Sequence, residues 1–210
     1  MTYRILRFLA KIFFYIFFFF KTSGSKHIPD NGGCIIASNH VSFLDPIALS
    51  IAIPRHVYFM AKDDLFQTSW FKKLLICLHT FPVKRGKSGD VKAIRLALNK
   101  LQEGKALIIF PEGSRSKTGK LKEAESGVGL LAAKSGVPVI PALVWGTEKG
   151  MPVGAKNIYL FQPISVHFGK PLYYKDLQKN SSDKNNFKLF ATEILKAIGK
   201  IAATKTLAKN

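Results

Sequence analysis

Within the stretch ASNHVSFLDP, His40 and Asp45 stand five positions apart. A carboxylate that holds one imidazole N–H fixes the ring's tautomer and stabilises the imidazolium, which equips the other ring nitrogen as a general base near neutral pH. Asp45 has a second local reading: it precedes Pro46 and the apolar run IALSIAI, the pattern of a helix N-cap with proline at the first helical position. The roles are compatible, because a carboxylate offers about four acceptor sites. Asp45 is therefore expected to cap the helix and to orient His40.

No protein nucleophile accompanies the pair. G-x-S-x-G is absent, and GKSG at residues 86–89 has the wrong spacing for a nucleophile elbow. The GKS also mimics the end of a P-loop, but position 81 is Phe where the first glycine would stand. His27, His40, His56, His79 and His167 show neither H-E-x-x-H nor another ligand-spaced pair. The attacking hydroxyl is thus expected to come from the substrate, with no metal or other cofactor.

Two further stretches carry cations past apolar runs. IIFPEGSRSKTGKL, residues 108–121, holds Glu112, Gly113, Ser114, Arg115, Lys117 and Lys120, and FPVKRGKSGD holds Lys84, Arg85 and Lys87. Arg115 with nearby amides suits a phosphate, while Glu112 could accept from a substrate hydroxyl or brace the arginine. In isolation, an ordinary charged turn explains residues 108–121 equally well.

The elements that must position these residues follow from patterning. Short apolar runs alternate with longer periodic ones, which signals an α/β domain. Strands are predicted over 34–38, 56–60, 80–83, 106–110 and 137–144, with 158–161 and 165–168 closing an edge. A helix is predicted from Asp90 with Val91, Ile94, Leu98 and Leu101 on one face and Gly104 as its C-terminal cap. Phe187, Phe190, Ile194, Ile198 and Ile201 keep helical spacing near the C-terminus, readable as core docking or as a membrane-surface helix. If parallel strands order the sheet, the cations and His40 face one crevice.

The N-terminus reads differently. Residues 5–20 would span about 24 Å as a helix, short of the ~30 Å bilayer core. Arg4, Arg7 and Lys11 share one helical face, and the second half is apolar all round. A basic amphipathic helix entering one leaflet is the leading reading; a short tilted span, a signal peptide and a buried helix compete with it. The segment KTSGSKHIPDNGG follows as a linker. This divides the chain into a membrane-anchoring helix, residues 1–22, and an α/β domain, residues 28–210.

Composition agrees. Thirty-two Lys and Arg against 13 Asp and Glu give a formal charge of +19, which favours anionic partners. Nucleic acid is not expected, since no zinc finger, RRM signature or homeodomain-like pattern occurs. Cys34 and Cys77 sit in apolar stretches and read as buried free thiols.

Taken together, NHVSFLD, FPVKRG, FPEGSRS and VPVIPA resemble, in order, the four sequence blocks of the glycerolipid acyltransferases of the lysophosphatidic acid acyltransferase type, across roughly residues 28–170. The resemblance implies acyl transfer from acyl-CoA or acyl-carrier protein to the hydroxyl of 1-acyl-sn-glycerol 3-phosphate, giving phosphatidic acid in phospholipid biosynthesis. It implies His40 as base and Asp45 as its partner, with Lys84, Arg85, Glu112, Gly113, Ser114 and Arg115 on the substrate. It also implies a mixed, mainly parallel sheet flanked by helices, in a protein on the cytoplasmic face of the membrane with membrane lipids as partners. One departure stands out: many relatives carry F-K-x-G where this chain reads Ala124, Glu125, Ser126, Gly127. Another lyso-lipid, glycerol 3-phosphate, or a non-enzymatic lipid-binding role therefore remain as alternatives.

Overall fold

Every residue of the strand Cys34–Ser38 is buried, because this strand lies inside a sheet covered on both faces. The computed structural model describes residues 2–83, 91–177 and 184–207. In chain order the strands are β1 (Lys21–Ser23), β2 (Cys34–Ser38), β3 (Val57–Lys62), β4 (Thr80–Val83), β5 (Ala106–Ile109), β6 (Val139–Trp145) and β7 (Ser165–Phe168). They form one seven-stranded sheet in the order β1-β7-β6-β2-β5-β3-β4. Only the β6–β7 pair is antiparallel, so the predicted mixed, mainly parallel sheet is what the chain forms.

Period-two alternation sends side chains to two separate cores. Cys34 and Ile36 of β2, Ala106 and Ile108 of β5, and Ile140, Ala142 and Val144 of β6 fill one. Ile35 and Ala37, Leu107, and Val139 and Leu143 fill the other. Each large aliphatic buried this way contributes about 1.5–3 kcal/mol.

The helices are α1 (Thr2–Phe18), α2 (Asp45–Ala52), α3 (Ser69–Cys77), α4 (Val91–Gln102), α5 (Gly127–Ser135), α6 (Thr147–Gly150) and α7 (Lys184–Leu207). Helices α1 and α2 pack on the first core, whereas α4, α5 and α7 pack on the second. The C-terminal helix docks: Phe190, Ala191, Ile194 and Ile198 are buried. Gly129 permits its close approach to α5, since a β-carbon there would lie 2.1 Å from the Phe187 carbonyl oxygen.

Several expectations are corrected. The buried stripe of α4 is Ala93, Ala97 and Leu101, with Val91 exposed; small residues bring the helix close, and Ile94 and Leu98 pack at the flanks. Gly104 does cap it, in the left-handed conformation with its N–H donating to Leu101. Part of the linker is β1, a three-residue exposed edge strand whose polar Lys-Thr-Ser shows no period to read. Residues 158–161 form no strand. Cys34 is buried, and burial pushes its thiol up to about 11, but Cys77 at the end of α3 is exposed.

The N-terminal helix is half docked. Tyr3, Phe14 and Phe18 are buried, and the Arg7 guanidinium donates to the carbonyls of Ile53 and Arg55 beyond α2. The basic face is thereby split, with Arg4 and Lys11 left exposed. Ile5, Phe8, Leu9, Ile12 and Ile16 point to solvent. Among the described residues no helix is long and apolar enough to cross a membrane.

Tyr3 at the start of α1 stacks on His79 and packs at a tilt against His56, and Tyr58 also stacks on His79. Burial lowers the affinity of both imidazoles for protons, and the nearby Arg4, Arg7 and Lys105 lower that of His56 further. The unfolded chain, whose histidines titrate near 6.5, then binds protons more readily than the native one. The stabilisation is fully present above that pH and is lost as pH falls through it. The melting temperature is expected to drop between about pH 7.5 and about pH 5.5, and His56→Gln/His79→Gln is expected to flatten that slope in a thermal-denaturation series.

Candidate active site

The three central parallel strands, β6, β2 and β5, end at the same edge of the sheet. Residue 39 follows β2, residue 110 follows β5 and residue 146 follows β6. Loops at such strand ends, where the chain leaves β2 between two neighbours joined to it by crossovers, form the usual crevice of an α/β sheet.

Asn39 clips the first loop to β6. Its buried side-chain amide donates to the Val144 carbonyl at 2.9 Å and accepts from the Val144 N–H at 2.8 Å. His40 follows directly. Its N–H donates to Glu112 Oε1 at 3.0 Å, its carbonyl accepts from the Ser116 N–H at 2.7 Å, and its ring stacks on Phe110 with centroids 3.9 Å apart. The loop after β5 thus holds the histidine from backbone and ring at once.

His40 Nδ1 lies 2.8 Å from Asp45 Oδ2. The same oxygen accepts the N–H groups of Val41 at 2.7 Å and Ser42 at 2.8 Å, and Oδ1 accepts the Thr147 hydroxyl at 2.6 Å. Asp45 is fully buried while His40 keeps 17% of its side-chain surface. With donors on both oxygens the carboxyl acts only as an acceptor, so the shared proton sits on Nδ1. Nε2, which makes no hydrogen bond among the described residues, is left with its lone pair facing outward. This is the arrangement of a general base.

The expected helix cap is corrected by the same contacts. Helix α2 begins at Asp45 with Pro46 in its first turn, and no side chain caps it. The carboxylate folds back on the loop that precedes it, where it accepts the Val41 and Ser42 amides; at the helix start Pro46 has no N–H, and the Asp45 and Ala48 amides donate to the Ser42 and Leu44 carbonyls.

Glu112 is also buried, and it works as a brace. Oε1 holds the His40 N–H and Oε2 holds the Lys122 N–H at 3.0 Å. Burial pushes its carboxyl above the usual range, and the two backbone donors pull against that shift. It does not brace Arg115, whose guanidinium lies 3.5 Å above the Phe43 ring; such cation–π contacts contribute ~0.5–2 kcal/mol. Among the described residues, Arg115 Nη1 is buried there without a hydrogen-bond partner. Gly113 takes the left-handed turn at φ 66, and the Lys122 ammonium donates to Ser114 Oγ. Lys84 and Arg85 lie outside the described residues.

A groove of about 210 Å³ is lined by Val41, which follows His40 in the chain, and by Ser116, Lys117, Thr118, Glu148 and Val153 among others; neither His40 nor Asp45 lines it. The family model described as Acyltransferase matches residues 19–145. A 1-acyl-sn-glycerol-3-phosphate acyltransferase of Bacillus subtilis is 30% identical over 157 residues, which cover 74% of this chain and 75% of that protein. The chain belongs to this acyltransferase family. A chloroplastic 1-acyl-sn-glycerol-3-phosphate acyltransferase of Brassica napus is 32% identical over 172 residues, or 79% of this chain and 50% of that longer protein. The crystal structure of a 1-acyl-sn-glycerophosphate acyltransferase from Thermotoga maritima superposes with a TM-score of 0.70 at 26% identity, covering 92% of this chain and 77% of that one. The chain therefore spans half to three quarters of these family members.

Sequence reasoning missed Thr147 and Asn39. Thr147 lies two residues beyond the part matched to the acyltransferase family, 102 positions from the carboxylate it holds. Nothing local in GTEKG signals that contact. Replacing its hydroxyl by a methyl leaves Asp45 Oδ1 buried without a donor, which typically costs ~1–3 kcal/mol. Urea denaturation of Thr147→Val is expected to show a loss of that size, with Thr147→Ser restoring most of it.

Proposed function

We propose that this chain transfers a fatty acyl group from acyl-CoA or acyl-carrier protein to the free hydroxyl of 1-acyl-sn-glycerol 3-phosphate, giving phosphatidic acid. The observation that carries the reading is His40 Nδ1 held on the buried Asp45 carboxylate, with Nε2 left open at the strand ends. As the hydroxyl oxygen attacks the thioester carbonyl carbon, its proton passes to Nε2. The carbon–sulfur bond then breaks, and the departing sulfur takes that proton from the imidazolium. No acyl-enzyme forms, since the acceptor itself supplies the nucleophile.

Arg115, with Lys84 and Arg85 past β4, supplies positive charge for the acceptor phosphate, and Gly113 and Ser114 complete the turn that faces it. The apolar outer face of α1 and the excess of basic residues support a protein working at a membrane surface, where acceptor and product reside.

A second acceptor class is favoured by Glu125. Its Cγ lies 3.2 Å from where a side chain on Gly113 would begin, so a carboxylate stands by the turn where many relatives carry a lysine. Repulsion there disfavours a doubly charged phosphate monoester relative to a less charged lyso-lipid headgroup.

The test is an acceptor panel with labelled acyl thioesters on both carriers, offering lysophosphatidic acid, glycerol 3-phosphate and other lyso-lipids. Lysophosphatidic acid is expected to be preferred, and His40→Ala to lower kcat by about 10² to 10⁴ in a protein that still folds, with some loss of melting temperature from the donor taken from Asp45. A folded His40→Ala protein with the wild-type rate would overturn the mechanism, and another preferred acceptor would replace the substrate.

A further inference from the structure

Residues 158–161 read Ile-Tyr-Leu-Phe, yet they fill no core: they are 45, 53, 37 and 61% exposed. They are nevertheless fixed in place. The Tyr159 N–H donates to the Gly150 carbonyl at the end of α6 and the Phe161 N–H to the Phe17 carbonyl near the end of α1, each at 2.7 Å, which ties the segment to both helices. The Phe161 ring lies 6.0 Å from that of Phe17 and 6.4 Å from that of Phe19.

Phe19 and Phe161 both have positive φ, 47 and 63. Bulky side chains avoid this backbone state, and it persists only where the surroundings hold it. Here the strain turns two neighbouring phenylalanines outward, where water offers no return for exposing them. Phe8, Leu9, Ile12 and Ile16, at helical spacing on α1, are exposed as well, and exposed apolar surface of this extent marks an interaction surface.

Charge selects the occupant. Residues 1–29 contain no Asp or Glu but hold Arg4, Arg7, Lys11, Lys21 and Lys26; residues 149–175 again contain none and hold Lys149, Lys156, Lys170 and Lys175. A second copy of the chain would set like charges face to face, whereas an anionic leaflet complements both the rings and the lysines.

We infer that residues 158–161 form a second lipid contact, lying with the outer face of α1 in the headgroup region of an anionic leaflet. The inference rests on the proposed membrane-surface role of α1 and adds what a single helix cannot supply. A helix lying in a leaflet can still roll about its axis; a second contact beside its end removes that freedom. The end of α1 also abuts the loop between His40 and Asp45, because Phe18 Cε1 and Leu44 Cδ1 lie 3.2 and 3.1 Å from the same point above Gly150. Fixing the roll fixes how the His40 crevice meets the membrane.

Vesicle co-sedimentation of the full chain tests this, using phosphatidylcholine vesicles with and without phosphatidylglycerol. The wild type is expected to bind the anionic vesicles, and Tyr159→Ser/Phe161→Ser to bind about tenfold more weakly with an unchanged melting temperature. An environment-sensitive dye on Leu160→Cys, in a Cys77→Ser background with Cys34 buried, is expected to shift to the blue on vesicle addition. Unchanged binding with no dye shift would overturn the second contact and leave α1 as the anchor. A wild type that ignores vesicles would overturn both contacts. Self-association lost in the double variant, without any change in vesicle binding, would assign the face to a second copy instead. Acyl transfer to a detergent-dispersed acceptor reads the reaction separately on the same proteins.

Discussion

The buried carboxylate of Asp45 is the point on which the site depends. It gathers an imidazole N–H, two backbone N–H groups and a hydroxyl from three places in the chain: His40, the Val41–Ser42 turn and Thr147 after β6. An isolated buried carboxylate is costly, and hydrogen bonds to the charged form are what make it tolerable. The arrangement therefore works in both directions: the loop conformation stabilises the charge, and the charge sets the loop conformation. His40 obtains its orientation as a product of that mutual dependence.

Glu112 repeats the device one strand over. Its two oxygens tie the backbone N–H of His40 to that of Lys122, across the turn that carries Arg115. The Arg115–Phe43 stack and the Ser116–His40 hydrogen bond add two more links between the same loops. His40 and Arg115 thus occupy one framework, with their separation set by strands β2 and β5, which are adjacent and parallel. Geometry of this kind suits a reaction whose nucleophile and leaving group both arrive from outside the protein, because positioning must then be complete before they bind.

Much of this was legible in the sequence, and the exceptions have physical reasons. The ends of β2, β4 and β7 were read to the residue, since apolar runs bounded by turn residues leave little choice. His40 with Asp45 could be paired because their contact is local. Thr147 and Asn39 could not be found, because their partners are brought together by sheet order and single residues carry no trace of it. Asp45 looked like a helix cap because helix propensity is local, whereas the demand of the preceding loop for an acceptor is a property of the folded site. Residues 158–161 looked like a strand because apolar composition is the same whether a segment faces a core or faces outward. The α4 stripe was misjudged for a related reason: alanine buries little area, yet it allows the closest approach to a sheet.

The edge strand β1 has a consequence for the order in which the protein can be made. Among the described residues it pairs only with β7, and Ser23 meets His167 across 144 positions. During synthesis the N-terminal segment emerges long before its partner exists, while contacts of such separation form late in folding. Helix α1 therefore spends translation without the strand that will hold its far end, with its phenylalanines uncovered. Its first available apolar partner is whatever lies near the nascent chain, and the sheet closes behind it.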